Sequence, residues 1–122
     1  MTQTKIYGIS EYIKPIKSQL SIVIHSCFVD VLQYPSEKRF HRFFPMDKSN
    51  FIFPPDKSQS YLIIEISMFE GRSVDVKKKL IRLLLKRISQ RFGISHNDIE
   101  ITIFETPKHN WGVRGVTGDE LS

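Results

Sequence analysis

Residues 69–77 (FEGRSVDVK) place an arginine directly before a predicted helix. Ser73 is a favourable N-cap residue, and Asp75 in the first turn suits the positive end of the helix dipole. Arg72 is a cation at that same end, where its charge is unfavourable. A positive charge kept there favours either the binding of an anion or a structural salt bridge.

A second group of cations lies in SEKRFHRFF, where Lys38, Arg39, His41 and Arg42 are close together. This cluster predicts either the lining of a site for a small anion or a basic surface loop. The chain carries a net charge of +5, and its other basic residues are concentrated on one helix between residues 77 and 91, where a solvated face is expected. Such a surface can also attract nucleic acid or a membrane.

The segment FETPKHNWGVRG holds Trp111, the only tryptophan, among glycines, a proline and Arg114. Large apolar rings usually belong to strands or helices that carry them into a core. The segment is therefore interpreted either as a loop that closes over a small charged substrate or as a turn before a last short strand at 112–116.

Length and composition indicate one domain over residues 1–122, with 40% hydrophobic and 25% charged residues. No apolar run reaches the ~20 residues of a membrane span, and the start does not resemble a signal peptide, so a cytoplasmic location is expected. Cys27 is the only cysteine, which excludes an internal disulfide, and it is predicted in the core. His96 and His109 lack metal-ligand spacing, and we expect neither a metal nor a cofactor.

Apolar spacing predicts the main elements of the chain. A strand is expected at 4–9, and a helix begins at Pro15 and ends at Tyr34-Pro35. Residues 40–56 are rich in Phe and Pro and are predicted as extended loop with a short strand at 50–53. A buried strand at 61–67, a helix from Ser73 to Gly93 and a strand at 99–104 follow.

The order strand-helix-strand occurs twice, which predicts an α+β fold of two β-α-β halves, at about 1–58 and 59–122. Each half contributes a parallel strand pair to a four-stranded mixed sheet with both helices on one face. The other face is expected to be apolar, because Ile64, Ile66, Ile101 and Ile103 cannot all point to the helices along with Leu62 and Ile63. A partner chain should then cover it, so we expect an oligomer.

Four segments in this order, TKIYG, IHSCFVDVL, FEGRSVDVKKKL and ETPKHNWGVRG, resemble the tautomerase superfamily. SEKRFHRFFP and NWGVRGVTGDEL are similar to the branch that includes malonate semialdehyde decarboxylase. The resemblance implies a homotrimer of duplicated β-α-β protomers. It also implies proton transfer by an amino-terminal proline, whose pKa burial and nearby cations lower, and arginines that hold a substrate carboxylate.

The resemblance places Thr2 where the family has its catalytic proline. Its amine is primary, and it is free only if Met1 is removed. Arg72 matches the arginine of the family's turn. Lys38 falls near the catalytic aspartate of the decarboxylase, which argues against decarboxylation of that type unless Glu37 serves after a one-residue shift.

Further site residues follow from the same resemblance. His25 matches a helix histidine that dehalogenase relatives use on substrate, although a partly buried structural histidine is the competing interpretation. Arg39 and His41 are candidates to line the site. Trp111 is expected as an apolar wall and Arg114 as a second cation, both reaching a neighbouring subunit's active site; packing of Trp111 at a subunit interface is the alternative.

Three functions compete. The first is a tautomerase-like isomerase that moves a proton between carbon and oxygen of a small anionic substrate, a 2-oxo acid or its enol. The second is a pseudoenzyme or altered chemistry on the same fold, because Thr2 replaces proline. The third, a nucleic-acid-binding module, is disfavoured because YLIIEIS and IEITIF carry aliphatic rather than stacking aromatic side chains. We expect no nucleic acid and no membrane as partner.

Overall fold

The computed structural model describes residues 2–121, and the strand-helix-strand order occurs twice in it, as predicted. The first half consists of β1 (Thr2–Ile9), α1 (Ser10–Ile13), α2 (Lys17–Leu32) and β2 (His41–Met46), with a 3-10 turn between the two helical segments. The second half consists of β3 (Leu62–Phe69), α3 (Val74–Phe92) and β4 (Ile99–Thr106).

The four strands form one mixed sheet in the order β2-β1-β3-β4. Strands β1 and β2 are parallel, as are β3 and β4, while the two halves meet through the antiparallel pair β1 and β3. The core lies between this sheet and the long helices, where fully buried side chains such as Ile6, Ile64, Phe28 and Leu84 pack together. The predicted α+β architecture is confirmed.

Local sequence explains where the helices end. Ser73 caps α3, since its hydroxyl accepts a hydrogen bond of 3.1 Å from the Val76 amide. Gly93 ends the helix in the left-handed conformation that glycine adopts without strain. In α2 the apolar positions include Cys27, which is buried in the core as expected, and burial raises the pKa of its thiol.

The prediction for residues 40–56 is wrong in its placement of a strand. The strand is at His41–Met46, whereas the predicted position at 50–53 begins at the end of a 3-10 turn, Lys48–Asn50. Strand β2 is an edge strand that pairs only with β1. An edge strand is half solvated and tolerates proline. Strand β2 therefore contains polar residues and Pro45 instead of a continuous apolar run, and apolar patterning alone does not predict it.

Of the six aliphatic residues behind the expectation of an apolar outer face, the register places Ile63 on that face and the other five on the helix side. Along β3 the alternation buries Leu62, Ile64, Ile66 and Met68 against the helices, and the register places Ile101 and Ile103 on that same side. The outer face instead mixes polar and apolar side chains: Lys5, Tyr7, Arg42, Phe44, Ile63, Glu65, Thr102 and Phe104. On it the Tyr7 hydroxyl donates a 2.8 Å hydrogen bond to Glu65.

The two halves repeat with a constant offset of 60 positions. Strands β1 and β3 begin at Thr2 and Leu62, and the left-handed residues that end α2 and α3 are Gln33 and Gly93. The 3-10 turns at Lys48–Asn50 and Lys108–Asn110 show the same spacing. Structural counterparts can therefore be read from the numbering alone.

After β4 the chain forms a small hairpin outside the main sheet. Strands β5 (Gly112–Val113) and β6 (Val116–Thr117) pair with each other, and Arg114-Gly115 makes the turn. The strand predicted at 112–116 is thus two short strands with a turn inside the predicted range. None of the helices between residues 2 and 121 combines the length and the apolar composition that a bilayer crossing requires.

Candidate active site

A pocket of about 240 Å³ lies beside the start of β1. Its polar lining comes from Thr2, Lys38 and Arg114, and its apolar lining comes from Tyr34, Pro35, Phe40, Phe69 and Leu121. Thr2 itself is only 4% exposed. Five separate segments of the chain contribute, so the pocket exists only in the folded protein. The prediction about removal of Met1 concerns a residue that lies outside the described residues.

Positive charge around this pocket is not neutralised within the described part of the chain. The ion pairs there join Lys57 to Asp56, Lys77 to Glu105 and Arg87 to Asp30. None involves the cations at the pocket. Lys38 and Arg114 line it directly, and the Arg72 guanidinium carbon lies 5.7 Å from the centre of the Tyr34 ring, on the pocket's wall. Uncompensated cations beside apolar walls attract small anions.

Among residues 2–121, Arg72 therefore forms no salt bridge, which was one of its two interpretations. It lies beside a neighbouring depression that Phe69, Glu70, Gly71 and Lys108 also line. Phe69 is common to this depression and to the Thr2 pocket. Arg72 is consequently adjacent to the pocket, separated from it by the aromatic rings of Phe69 and Tyr34.

Backbone strain is concentrated at the pocket. Among residues 2–121, the non-glycine residues with positive φ are Gln33, at 60°, and Arg114, at 53°. Gln33 directly precedes Tyr34-Pro35 of the pocket wall, and Arg114 lines the pocket itself. A side chain in the left-handed region is uncommon and costs free energy, and such residues cluster at functional sites.

Trp111 stands behind the pocket wall rather than in it. Its ring meets the Phe69 ring edge-on, with 5.0 Å between centroids. Gly118 allows this wall to pack tightly, because a Cβ there would lie 2.9 Å from the Phe69 ring and 2.5 Å from the Lys108 carbonyl oxygen. Trp111 thus supports the wall by fixing the Phe69 ring.

His25 and His41 lie on the helix side of the sheet and do not line the Thr2 pocket. The ring of His25 is buried, and its Nε2 donates a 3.1 Å hydrogen bond to the carbonyl of Pro35. His41 Nδ1 shares a 2.7 Å hydrogen bond with the Ser21 hydroxyl. Burial, with smaller contributions from His25 and Arg39, lowers the pKa of His41 to about 4. The hydrogen bond of His25 thus holds the Pro35 segment of the pocket wall, whereas that of His41 joins β2 to α2.

Arg39 does not line the Thr2 pocket. It lines two other depressions, one with Gln3 and Arg42 and one with Lys17 and Phe43. Of the seven predicted site residues, the structure therefore brings Thr2 and Arg114 into one pocket and places Arg72 and Trp111 directly beside it. It leaves His25, Arg39 and His41 outside that pocket.

The equivalent pocket beside the start of β3 is smaller. It measures about 90 Å³ and is mainly apolar, with Leu62, Tyr61, Ile9 and Ile94 in the positions that Thr2, Leu121, Phe69 and Tyr34 occupy in the first. Asp98, the counterpart of Lys38, is buried and accepts hydrogen bonds from the Ser58 amide (2.8 Å) and hydroxyl (2.5 Å). These bonds join Asp98 to the loop that precedes β3, and of the two equivalent pockets the one beside Thr2 is the larger and the one lined by cations.

Sequence reasoning missed the pocket roles of Tyr34, Phe40, Phe69 and Leu121, and it considered Lys38 only as an argument against decarboxylation. These residues lie on loops and element ends, where periodicity carries no information. One signal was available: FPMDKSNF at 44–51 aligns with FETPKHNW at 104–111. That alignment transfers the predicted strand at 99–104 onto 39–44 and identifies the loop that flanks the pocket.

Comparison with known proteins gives the family. A family model described as "Tautomerase enzyme" matches residues 38–114, which is more than half of the chain. The chain therefore belongs to this tautomerase family, in agreement with the resemblance drawn from its motifs. The family and the named relatives favour an isomerase-like enzyme.

Two relatives illustrate the sequence likeness. The 2-hydroxymuconate tautomerase of Comamonas testosteroni is 35% identical over 57 residues, which cover 47% of this chain and 90% of that protein. The probable tautomerase YusQ of Bacillus subtilis (strain 168) is 22% identical over 98 residues, covering 76% of this chain and 77% of that protein.

Solved structures share the fold. Native fused 4-OT superposes with a TM-score of 0.85 at 17% identity, with 98% of each chain covered. FG41 malonate semialdehyde decarboxylase inhibited by 3-bromopropiolate gives a TM-score of 0.80 at 23% identity, covering 90% of this chain and 87% of that one. Another fused 4-OT is described as an asymmetric trimer. At these identities the likeness establishes the fold alone.

Proposed function

We propose that this protein is a tautomerase that moves a proton between carbon and oxygen of a small 2-oxo acid or its enol. The observation that carries the proposal is the pocket in which buried Thr2 lies beside Lys38 and Arg114, neither of which has a carboxylate partner in the described part of the chain. Membership of the tautomerase family supports the reaction class.

In the proposed mechanism the amine of Thr2, once Met1 has been removed, is the base. It takes the proton from the enol oxygen and returns a proton to carbon, so that the substrate ketonises without loss of any group. The negative charge that develops on oxygen is stabilised by the pocket's cations, which are already in place before reaction. Arg114 binds the carboxylate, and Arg72 adds positive charge from behind Tyr34. Phe69, supported by Trp111, limits the access of water.

The working form is proposed to be a homotrimer of single 122-residue domains, each with two β-α-β halves that meet near residue 60. Trimeric fused 4-OT provides the precedent. The outer sheet face carries large exposed apolar groups, Phe44 at 39% and Phe104 at 48%, between charged neighbours. Light scattering after size exclusion should give three times the mass of one chain, and a monomer mass at micromolar concentration would contradict this assembly.

The alternative is a pseudoenzyme, or a protein that performs different chemistry in the same pocket. It is favoured by one observation, that Thr2 supplies a primary amine and a hydroxyl where the family has proline. The hydroxyl needs a separate base to act as a nucleophile. If Met1 is retained, the amine is displaced by ~3.5 Å along the extended chain, enough to cost about 10²-fold in rate.

The test is ketonisation of phenylenolpyruvate, followed by ultraviolet absorbance, on protein whose intact mass establishes the state of Met1. Arg114→Ala and Arg72→Ala should each lower kcat/KM, with Arg114→Ala the more severe because its side chain lines the pocket. Arg82→Ala, on the exposed face of α3, is the matched control.

Each outcome separates the two functions. Turnover above the buffer rate that Arg114→Ala abolishes supports the tautomerase. No turnover by protein lacking Met1 favours the alternative. Thr2→Pro then asks whether the rest of the pocket is intact, since gained activity would show that only the base is missing.

A further inference from the structure

We infer that Lys38 is a substrate-binding residue, and that with Arg114 it gives the Thr2 pocket a preference for ligands that carry two negative charges. The inference rests on the proposed function only in assigning this pocket to the substrate. It adds a residue and a charge class that the motifs did not indicate. It requires binding alone, so it is testable without turnover.

The first argument is the position of Lys38. Its backbone amide donates a 3.1 Å hydrogen bond to the carbonyl of Pro35, which forms a tight turn directly after α2. The carbonyl of Pro35 also accepts a hydrogen bond from the buried ring of His25. The turn is thus fixed to the protein core, and the lysine side chain lines the pocket opposite a different segment, the hairpin that carries Arg114.

The second argument is that Lys38 has no ion-pair partner within the part of the chain that the structure describes. No carboxylate within residues 2–121 forms an ion pair with its ammonium group. By contrast, Lys77 and Arg87 on α3 are paired with Glu105 and Asp30. A cation that lines a pocket and remains unpaired is available to an anionic ligand.

The third argument comes from the repeat. Sixty positions later, Asp98 occupies the same place and serves structure, since it accepts two hydrogen bonds from Ser58. The counterpart of Ser58 is Gly118, which has no side chain to offer. Lys38 therefore does not make the side-chain hydrogen bonds that Asp98 makes. It carries the opposite charge, and the pocket that it lines is open.

Two cations on separate segments select for two anionic groups because each forms its own charge-assisted hydrogen bonds. The aromatic rings between them suit an unsaturated carbon skeleton. A singly charged ligand can satisfy one cation only. The pocket should therefore distinguish a dicarboxylate from a monocarboxylate of the same shape.

Fumarate and crotonate are the probes, since they share a four-carbon trans skeleton and differ in one carboxylate. Binding is followed by the fluorescence of Trp111, the only tryptophan, which contacts the pocket wall through Phe69, and by calorimetry. We expect fumarate to bind roughly tenfold more tightly than crotonate. Lys38→Met should abolish that difference while leaving crotonate affinity within about twofold.

Lys48→Met is the matched control, because it removes the same charge from an exposed turn that lines none of the pockets described. An equal effect of the two variants would mean that net charge alone matters and would overturn the inference. So would equal affinity of the native protein for both probes, or no fumarate binding. Failure of the proposed function appears separately, as fumarate binding that depends on Lys38 without ketonisation.

Discussion

Gly118 is the point at which the hairpin segment packs against the pocket wall, and its replacement by alanine has a calculable cost. The new Cβ would lie 2.5 Å from the Lys108 carbonyl oxygen and 2.9 Å from the Phe69 ring. The backbone oxygen cannot move independently, so the segment and the ring must both shift. Overpacking of this kind typically costs 1–3 kcal/mol, and we expect about 2 kcal/mol for Gly118→Ala.

The assay is urea unfolding at fixed protein concentration, followed by Trp111 fluorescence. With a slope of about 1–3 kcal/mol per molar, the midpoint should fall by about 1 M. Gly112→Ala is the control in the same hairpin, since among residues 2–121 no heavy atom beyond its two chain neighbours lies within 4 Å of its Cβ position. It should change stability by no more than about 0.5 kcal/mol. Equal midpoints for the two variants would refute the packing argument.

Three further perturbations follow from contacts already described. The pKa of His41, lowered to about 4 from its ordinary 6.5, means that the unfolded chain binds a proton that the folded chain excludes. Stability should therefore be fully present above pH 6.5 and fall by roughly 2 kcal/mol as the pH drops to 4; in His41→Asn urea midpoints should depend less on pH, and parallel profiles would contradict this. Asp98→Ala removes the acceptor for both Ser58 bonds and should cost about 1–3 kcal/mol in thermal or urea unfolding. Fumarate binding at the Thr2 pocket should be unchanged in that variant, and weakened binding would show that the two pockets are coupled. Ser73→Ala should lower the free energy of unfolding by about 1 kcal/mol, because the N-cap of α3 is lost. Ser73→Asp, which keeps a side-chain acceptor at the cap, should retain most of that stability.

The sequence predicts most of the fold because the apolar residues follow the regular spacing of buried positions, which alternate along the strands and recur every three to four residues along the helices. In α3 the fully buried Leu80, Leu84 and Ile88 recur at every fourth position, and the cap at Ser73 marks the beginning. Strands β3 and β4 are rich in β-branched residues between clear breaks. These signals are local, so they survive without knowledge of the tertiary structure.

Strand faces were harder to assign than strand positions. YLIIEIS contains apolar residues on both parities, so composition alone does not decide which of them face the helices. The decision follows from the register with β1, which pairs Ile6 with Ile64 on the helix side and Lys5 with Glu65 on the outer side. That pairing joins residues far apart in sequence.

The candidate site was predictable only where a motif marks it. Arg72 and Arg114 occur in recognisable segments, whereas Lys38, Tyr34 and Leu121 reach the pocket through tertiary packing. For His25 and His41 the residue type favoured a ligand-binding role. In the structure their rings instead form hydrogen bonds within the protein, outside the Thr2 pocket.

The two equivalent pockets differ in size and charge. This difference separates stability from ligand binding, two requirements that usually conflict within one site. Open, charged cavities with strained backbone reduce stability, and closing them normally sacrifices binding. Here the Asp98–Ser58 bonds stabilise one copy, while the other copy has cations without an ion-pair partner among residues 2–121 and two left-handed residues in or beside it. Neither Asp98 nor Ser58 lines the Thr2 pocket, so substitutions that adapt its lining to a new ligand leave these bonds in place. The duplicated chain thereby assigns a stabilising contact and a binding function to different copies of the same position.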